Sequence, residues 1–378
     1  MTYLDNNATT PLDPRVLEVM LPFLSEKFGN PSSPHAAGRA TRDAVETARA
    51  QTATLVGARP EEIVFTGCGT ESINTAIRGA LAAQPGKRHI ITSSTEHSAV
   101  KNSCEQLARE GCEVTWLCVD ASGRPNMDEF HAALRDDTAL VSVVWANNET
   151  GVIFPIEEMA RIANERRIVF HADAVQAAGK IAMDLARVPV HLLSISAHKF
   201  HGPKGVGALF VRSGLGLPPL LLGGGQEHGR RSGTENVPGI VGMGRAAALA
   251  QAAIAGDMPR VAQLRDGFEH GVRARFPGVR FHGDTADRLP NTSNFALPDF
   301  AATDVLAALD RSGVCCSIGS ACASGSPHAS HVLRAMNVDD EEAKRSLRFS
   351  FSRMNTARDA EHALSALDGV ARRLGGDD

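Results

Sequence analysis

The feature that most constrains the fold is an alternation of apolar, β-rich runs with helical patterns between about residues 60 and 212. The runs predicted to be strands are Ile63-Phe65, His89-Thr92, Val114-Val119, Leu140-Trp145, Ile168-His171, Leu192-Ser196 and Ala208-Val211. Helical spacing between most of them predicts an α/β fold with a mainly parallel seven-stranded sheet covered on both faces. The interval before the last run is too short for a crossover helix, so that strand is expected to run antiparallel.

Beyond the glycines at 223–225 the pattern changes to two long helices followed by shorter strands. The helices are predicted near Pro238–Ala255 and Pro259–Phe276, the strands at Val279–His282, Ser293–Leu297 and Leu347–Ser350, and a terminal helix from Ala357. We therefore predict a large domain at 14–255. A smaller α+β domain is expected from 1–13 together with 256–378.

Composition and charge favour a soluble protein that acts on small molecules. The net charge of −4 and the pI near 6.4 give no electrostatic reason to expect nucleic acid or an anionic membrane as a partner. No apolar run approaches the roughly 20 residues that span a bilayer, and residues 1–5 lack the features of a signal peptide, so a cytoplasmic location is expected. The seven cysteines include no C-x-x-C pair, which disfavours disulfide frameworks and zinc fingers.

In an open α/β sheet, ligands bind beyond the carboxyl ends of the strands. Lys199 follows the run Leu192-Ser196. An amine there would be partly desolvated, which favours its neutral, nucleophilic form and suits Schiff-base chemistry with a carbonyl cofactor. The alternative is a lysine that merely points into solvent before a Gly-Pro turn.

The glycine-rich sequence at 66–72 offers a phosphate cradle after the first strand. Its glycines allow a tight turn, the following helix offers free N–H groups, and Thr70 adds a hydroxyl. The Gly-Lys-Ser/Thr of a P-loop is absent. A glycine turn without any ligand is the alternative.

Four further polar residues follow other strands. His97 could stack on a planar cofactor and move protons, although a surface or core histidine is the simpler explanation. Asn148 could donate to a cofactor or substrate oxygen, or only satisfy its own turn. Asp173 ends a buried strand, where a protonated ring nitrogen would offset the cost of its carboxylate, and Gln176 follows it.

Taken together, these residues are what a protein contributes to pyridoxal 5'-phosphate (PLP) chemistry. Lys199 is the Schiff-base lysine, Asp173 partners a pyridinium nitrogen, and His97 stacks on the ring. The cradle at 66–72 holds the phosphate. Their joint occurrence is far less expected by chance than any single one.

The chain resembles the cysteine desulfurases of the class V aminotransferase superfamily, most closely their NifS type. The likeness runs from Tyr3-Leu4-Asp5-Asn6-Asn7-Ala8-Thr9-Thr10 and Phe28-Gly29-Asn30-Pro31-Ser32-Ser33 to Leu347-Arg348-Phe349-Ser350-Phe351-Ser352-Arg353. It implies PLP fold type I. It also implies that Lys199 carries the cofactor, that Asp173 binds its ring nitrogen, and that Gln176 and Asn148 contact the ring hydroxyl and the substrate side.

The resemblance also assigns residues around the phosphate and between subunits. Gly69, Thr70, Ser196 and His198 match phosphate-binding positions. Thr234 matches a residue that reaches the partner subunit's cofactor, which implies a homodimer.

Cys322, in Gly319-Ser320-Ala321-Cys322-Ala323-Ser324-Gly325, is the discriminating residue. Small neighbours favour a mobile loop, at about 317–335, from which a thiolate attacks substrate sulfur and then presents the product. Loop filler is the alternative. No resident metal is expected, although Cys322 could ligate an iron–sulfur cluster during transfer.

Arg348 could clamp a substrate carboxylate, with Asn30 as a helper, or form an ordinary structural ion pair. The resemblance favours the clamp. It implies that L-cysteine is converted to L-alanine through a Cys322 persulfide, with Lys199 and His97 moving protons. The sulfur would supply an iron–sulfur scaffold protein, for nitrogenase or general cluster assembly.

Three alternatives stay open at this point. A selenocysteine lyase or a class V transaminase would use the same fold, and an iron–sulfur or sulfur-relay scaffold would bind without catalysis. The absence of paired C-x-x-C ligands weighs against the scaffold. The family usually has a longer C-terminal extension for partner docking than follows Leu374 here, so the resemblance supports catalysis more than docking.

Overall fold

The computed structural model describes residues 1–283, 287–319 and 329–375, with side chains described up to residue 373. Its strands are β1 (Thr2–Tyr3), β2 (Ile63–Thr66), β3 (His89–Ser93), β4 (Glu113–Leu117), β5 (Thr138–Val144), β6 (Val169–Asp173), β7 (Leu192–Ser196), β8 (Gly207–Val211), β9 (Arg280–Phe281), β10 (Thr292–Ala296), β11 (Val314–Cys315) and β12 (Ser346–Ser350). Its α-helices are α1 (Pro14–Ser25), α2 (Ala36–Val56), α3 (Gly69–Ala82), α4 (Ser98–Arg109), α5 (Met127–Ala133), α6 (Ile156–Glu165), α7 (Val237–Gly256), α8 (Met258–Arg275), α9 (Ala302–Arg311), α10 (His331–Ala335), α11 (Asp340–Lys344) and α12 (Ala357–Gly375).

The central sheet has seven strands in the order β2-β8-β7-β6-β5-β3-β4. Strands β3 to β7 are mutually parallel. Strand β8 runs antiparallel to both of its neighbours, β2 and β7. The predicted sheet, including its antiparallel strand, is therefore confirmed.

The central strands are apolar along their whole length because helices cover both faces of the sheet. Successive side chains of a strand point to opposite faces, and the core divides accordingly. Ile90 and Leu140 pack in the apolar cluster that includes α3 and α4, whereas Ile91 and Val141 pack in the cluster of the other face. The carboxyl ends of the parallel strands lie together at one end of the sheet.

Helix α7 is the most apolar long helix of the described chain. By length and composition it could span a membrane, with a mean hydropathy of 1.3, but 56% of that stretch is buried inside the protein. Val237, Ile240 and Met243 belong to the main apolar cluster, which also includes Val45 and Ala48 of α2. Its apolar surface is thus largely used for packing on the helices beside it.

A second apolar cluster lies apart from the sheet. It combines Leu4 with residues from Met258 to Val370, including stacked rings of Phe295 and Phe349. Strands β12, β10 and β9 form its antiparallel sheet, and β1 pairs with β11. The N-terminal segment therefore packs with the C-terminal third of the chain. The domain bounds 14–255 and 1–13 with 256–378 stay a prediction.

Helix α7 approaches α2 closely at Gly244, and this contact gives a test of the packing. A Cβ at Gly244 would lie 2.5 Å from the Ala48 Cα, so the Gly244→Ala variant has to push the helices apart. We expect it to lower the free energy of unfolding by roughly 1–3 kcal/mol, the range for overpacked cores. Chemical denaturation monitored by circular dichroism measures this change.

Gly256, the last residue of the same helix, is the matched control. Among the described residues, no atom apart from its chain neighbours and the backbone of its own helix lies within 4 Å of a Cβ built there. Because alanine favours the helix by up to about 1 kcal/mol, Gly256→Ala should be neutral or stabilising. Equal stability changes in the two variants would contradict the close approach of α7 and α2.

Candidate active site

A cavity of about 250 Å³ opens at the carboxyl ends of the central parallel strands. The predicted site residues that line it are Gly69, Thr70, His97, Asn148, Asp173, Gln176, Ser196, His198, Lys199 and Arg348. Because parallel strands end at the same edge, residues far apart in sequence meet there. Seven of these ten were expected from their places after strands, whereas Ser196 and His198 came from the resemblance and Arg348 lay within a predicted strand.

Lys199 ends a short 3-10 turn that directly follows β7. Its Nζ donates hydrogen bonds to the backbone carbonyls of Asn7 and Ala8, each at 2.7 Å. These carbonyls hold the amine at the cavity wall while it stays half-exposed. Such a lysine is positioned to react with a carbonyl group bound in the cavity.

The cradle is the N-terminus of α3, which begins at Gly69. A Cβ at Gly69 would lie 3.0 Å from Cγ2 of Val175 and 3.4 Å from Cβ of Ser196, so the position is shaped for a residue without a side chain. The first N–H groups of a helix lack intrahelical acceptors, which makes this an anion site. Burial, reinforced by Lys199, lowers the pKa of His198 to about 4. His198 is thus neutral at pH 7 and adds no charge to the cradle.

Asp173, the last residue of β6, is buried at the floor of the cavity. Its Oδ1 accepts from the Val175 N–H at 3.0 Å. Burial raises the pKa of Asp173, against the opposing effects of His97, the Val175 N–H and Lys199. A protonated ring nitrogen would stabilise the carboxylate, because its positive charge would compensate for the hydration that the buried group has lost.

His97 caps α4 and lines the cavity beside Asp173. Its Nδ1 accepts a hydrogen bond from the Ala99 N–H at 3.1 Å. An acceptor nitrogen carries no proton, so in this tautomer the ring proton is on Nε2. His97 therefore has Nδ1 fixed at the start of the helix, and the proton it carries is on Nε2.

The two amides of the cavity wall are tied to the N-terminal segment. Gln176 Nε2 donates to the Asn7 carbonyl at 2.9 Å. The Asn148 carbonyl accepts from Asn7 Nδ2 and from Arg348 Nη1, each at 3.1 Å. Asn148 is thus held through its backbone carbonyl and Gln176 through one hydrogen of its side-chain amide, and both can present a side-chain N–H to a ligand.

Arg348 forms the structural ion pair that was one of its two predicted roles. Its Nη2 pairs with Asp5 Oδ1 at 2.8 Å, and only 1% of the residue is exposed. Its Nε has no hydrogen-bond partner among the described residues. A buried N–H without an acceptor is costly, and a substrate carboxylate in the cavity is the acceptor that suits a guanidinium.

Three predicted residues are not seen in this cavity. Asn30 lies in an exposed turn, where its Oδ1 accepts from the Ser32 N–H at 2.9 Å. Thr234 lines a separate cavity of about 140 Å³ near Arg231. Cys322 lies outside the described residues. Their predicted roles with substrate, partner subunit and sulfur stay predictions.

Sequence reasoning missed two buried carboxyls next to the cavity. Burial raises the pKa of Glu96 to about 8, although Ser93 Oγ and the Val144 N–H donate to Glu96 Oε1 at 2.5 and 3.0 Å. Burial also raises the pKa of Glu149, whose Oε2 accepts from Ser330 Oγ at 2.6 Å. Their positions next to His97 and Asn148 in sequence were the available signal.

Also missed were the carbonyls of Asn7 and Ala8, and Lys180, whose Nζ donates to Gln176. A backbone acceptor has no sequence signature. Lys180 did have one, because it stands alone in the apolar stretch 177–183.

These contacts fit PLP. The Gly69 cradle suits a phosphate, the buried Asp173 suits a protonated ring nitrogen, and Lys199 suits the aldehyde carbon.

Comparison with known proteins agrees with the geometry. The aminotransferase class V sequence family matches residues 2–362. The chain belongs to the class V aminotransferase family. Enzymes of this family depend on PLP.

Its similar relatives within the class V family include two curated proteins and a solved structure. A cysteine desulfurase of Cereibacter sphaeroides is 51% identical, covering 98% of this chain and 96% of that protein. The cysteine desulfurase NifS of Azotobacter vinelandii is 46% identical over 98% of this chain and 93% of its own length. The structure of a NifS-like protein superposes with a TM-score of 0.93 at 38% identity, covering 99% and 100% of the two chains.

The buried Glu96 predicts a pH-dependent stability of the cofactor-free protein. Its folded pKa of about 8 exceeds the ordinary value of 4.5, so it is protonated in the folded state at pH 7. The contribution of protonated Glu96 to the free energy of unfolding is fully present below pH 4.5 and is lost as the pH rises through 8. Wild-type stability should fall between pH 5 and 9 by on the order of 4 kcal/mol more than that of Glu96→Gln.

Denaturant unfolding of the apoprotein at several pH values measures this difference. Glu110→Gln is the control, because Glu110 is exposed and its pKa is lowered by Gln106 and Arg78. Parallel pH profiles for the wild type and Glu96→Gln would show that Glu96 is ionised in the folded protein.

Proposed function

We propose that this protein is a PLP-dependent cysteine desulfurase that converts L-cysteine to L-alanine and transfers the sulfur to its own Cys322. The observation that carries the proposal is the convergence of Lys199, Asp173 and the Gly69 cradle on one cavity. The names of relatives that match nearly the whole chain support the same activity. Bound PLP supplies an electron sink for bond changes at the substrate α-carbon.

The residues around the cofactor bind and orient it. The first N–H groups of α3, with Thr70 and Ser196, hold the phosphate. Asp173 keeps the ring nitrogen protonated. Lys199 Nζ would hold the cofactor aldehyde carbon before substrate binds, and the freed amine would take the proton from the substrate Cα.

Arg348 and His97 act on the substrate. Arg348 binds the substrate carboxylate through its unpartnered Nε and its remaining hydrogens, while Asp5 holds the guanidinium in place. Asn30 is the proposed helper. His97 Nε2 exchanges a proton with the substrate thiol, because Nδ1 is engaged at the start of α4.

In the proposed reaction, the substrate sulfur is transferred to Cys322. Its thiolate forms a bond to the substrate sulfur, and the substrate Cβ–S bond breaks with its electron pair remaining on carbon. One proton added at Cβ and one returned to Cα complete alanine. The persulfide then carries the sulfur to an acceptor. An iron–sulfur scaffold protein is the proposed acceptor, in nitrogenase or general cluster assembly, and the cytoplasm is the proposed location.

A homodimer is part of the proposal, with Thr234 facing the partner's cofactor. Support comes from apolar side chains on the outside of the single chain. Leu17, Leu21 and Leu24 of α1 and Leu222 are exposed, the last by 83%. Large exposed apolar surface is typical of subunit interfaces.

The activity is tested by incubating the protein with L-cysteine and a reductant and quantifying alanine and sulfide. We expect equal amounts from the wild type and less than roughly 1% of that rate from Cys322→Ala, because loss of a nucleophile typically costs several powers of ten. Cys118→Ala is the matched control, since Cys118 is an exposed free thiol away from the cavity. Lys199→Ala should lose both turnover and the absorbance of bound cofactor.

Two results would contradict the proposal. Unchanged alanine formation in Cys322→Ala would remove the persulfide step. A cofactor-loaded wild type that releases alanine only from selenocysteine would identify a selenocysteine lyase.

The carboxylate clamp gives a second test. Arg348→Lys keeps the charge near Asp5 but loses the planar pair of donors. We expect KM for L-cysteine to rise roughly 10- to 100-fold, corresponding to about 1.5–3 kcal/mol for hydrogen bonds to a charged group. Cysteamine, which has no carboxylate, is the control substrate: any turnover of it should be equal in the wild type and the variant. An unchanged KM for L-cysteine would leave Arg348 with a structural role only.

A further inference from the structure

Lys180 is a second lysine close to the cavity, and it is buried, with 7% of its surface exposed. It follows Gln176 by one helical turn. Its Nζ donates to the Gln176 carbonyl at 2.9 Å and to Gln176 Oε1 at 2.8 Å. A buried amine is costly unless its hydrogens are used, and these two acceptors use them.

A continuous series of hydrogen bonds joins Lys180 to the lysine of the proposed reaction. Gln176 accepts from Lys180 at Oε1, and its Nε2 donates to the Asn7 carbonyl at 2.9 Å. The same carbonyl accepts from Lys199 Nζ at 2.7 Å. One amide and one carbonyl therefore separate the two amines.

This series fixes which end of the Gln176 amide faces which neighbour. A backbone carbonyl can only accept, so Nε2 faces Asn7 and Oε1 faces Lys180, which donates as an ammonium or as a neutral amine. Reversing the amide would place donor against donor and acceptor against acceptor. Since Nε2 carries two hydrogens and Asn7 uses one, the Gln176 that lines the cavity has an N–H to offer a ligand.

The charged and titratable groups that act on Lys180 or respond to it are Lys199, Arg348, His198 and His201. Burial, followed by the charges of Lys199 and Arg348, lowers the pKa of Lys180 well below its ordinary value. Burial is the main reason that the pKa of both imidazoles falls to about 4, and Lys180 adds to it. An amine donates hydrogens in either charge state, so the orientation of Gln176 does not require a charged Lys180.

We propose that Lys180 is a positioning residue for the reaction: it holds the Gln176 amide so that an N–H donor faces the cofactor. The acceptor that suits this donor is an anionic oxygen on the cofactor ring. By withdrawing electron density from that oxygen, the donor weakens the affinity of the adjacent Lys199 nitrogen for a proton. The inference rests on PLP in the proposed function, but not on L-cysteine as the substrate.

The test is a pH titration of the absorbance of the PLP-loaded protein without substrate. Lys180→Met removes the donor and keeps an unbranched side chain. We expect the midpoint pH of the absorbance change to rise by roughly one unit, which is a tenfold change in proton affinity. Lys180→Gln, which keeps an N–H donor, should titrate close to the wild type. Lys204→Met is the control, because Lys204 is exposed and should leave the midpoint unchanged.

A double-mutant cycle separates positioning from a direct effect of charge. Gln176→Ala should raise the midpoint, and adding Lys180→Met to it should cause no further shift. The same Lys180→Met shift in the presence and absence of Gln176 would overturn the proposal, as would a wild-type midpoint in Lys180→Met. PLP affinity of the apoprotein, expected to fall roughly three- to tenfold in Lys180→Met, gives a second measurement on the same cycle.

Unfolding of apo Lys180→Met by denaturant checks that the variant is folded. Replacing a buried amine by an apolar side chain is often neutral or stabilising. If that variant does not fold, Lys180→Gln carries the test, and a midpoint as high as that of Gln176→Ala overturns the proposal. A wild type that binds no PLP would instead refute the proposed function itself.

Discussion

The site depends on the backbone carbonyl of Asn7, which accepts hydrogen bonds from both Gln176 and Lys199. The side chain of the same residue reaches the start of β10, where Nδ2 donates to Thr292 Oγ1 at 2.9 Å and Oδ1 accepts from Asn291 Nδ2 at 3.0 Å. One residue thus joins the central sheet to the C-terminal third of the chain. The cavity wall is complete only when both parts have folded and the N-terminal segment lies between them.

Buried polar groups line the cavity, and the protein alone does not provide partners for all of them. Burial raises the pKa of Asp173, and Arg348 Nε has no partner among the described residues. PLP and an amino acid would supply the missing partners: a protonated nitrogen for Asp173, a phosphate for the start of α3 and a carboxylate for Arg348. Each such ligand binds only the folded state, so its binding should also stabilise the fold.

The sequence predicted the central strands because parallel strands buried on both faces are continuous apolar runs. Seven residues of the cavity wall followed from the geometric rule that ligands bind at strand ends, and Ser196 and His198 were implied by the resemblance. The carbonyl of Asn7 could not be predicted in this way, since every residue has one and only the fold selects it. The raised pKa of Glu96 depends on burial by distant segments, and the position of Asn30 in an exposed turn depends on how α1 and α2 are joined. These are properties of the tertiary structure.

The ion pair of Arg348 with Asp5 and the clamp on a substrate carboxylate are compatible, and the N-terminal segment explains why. A guanidinium has five N–H donors, of which Asp5 and the Asn148 carbonyl use two. Asp5 lies two residues before Asn7, so one short segment holds both the arginine proposed to bind the substrate and the lysine proposed to react with it. In the proposed function, the carboxylate clamp and the reacting lysine are thus positioned by the same short segment, residues 5–8. The structural ion pair then also fixes the place of the proposed clamp.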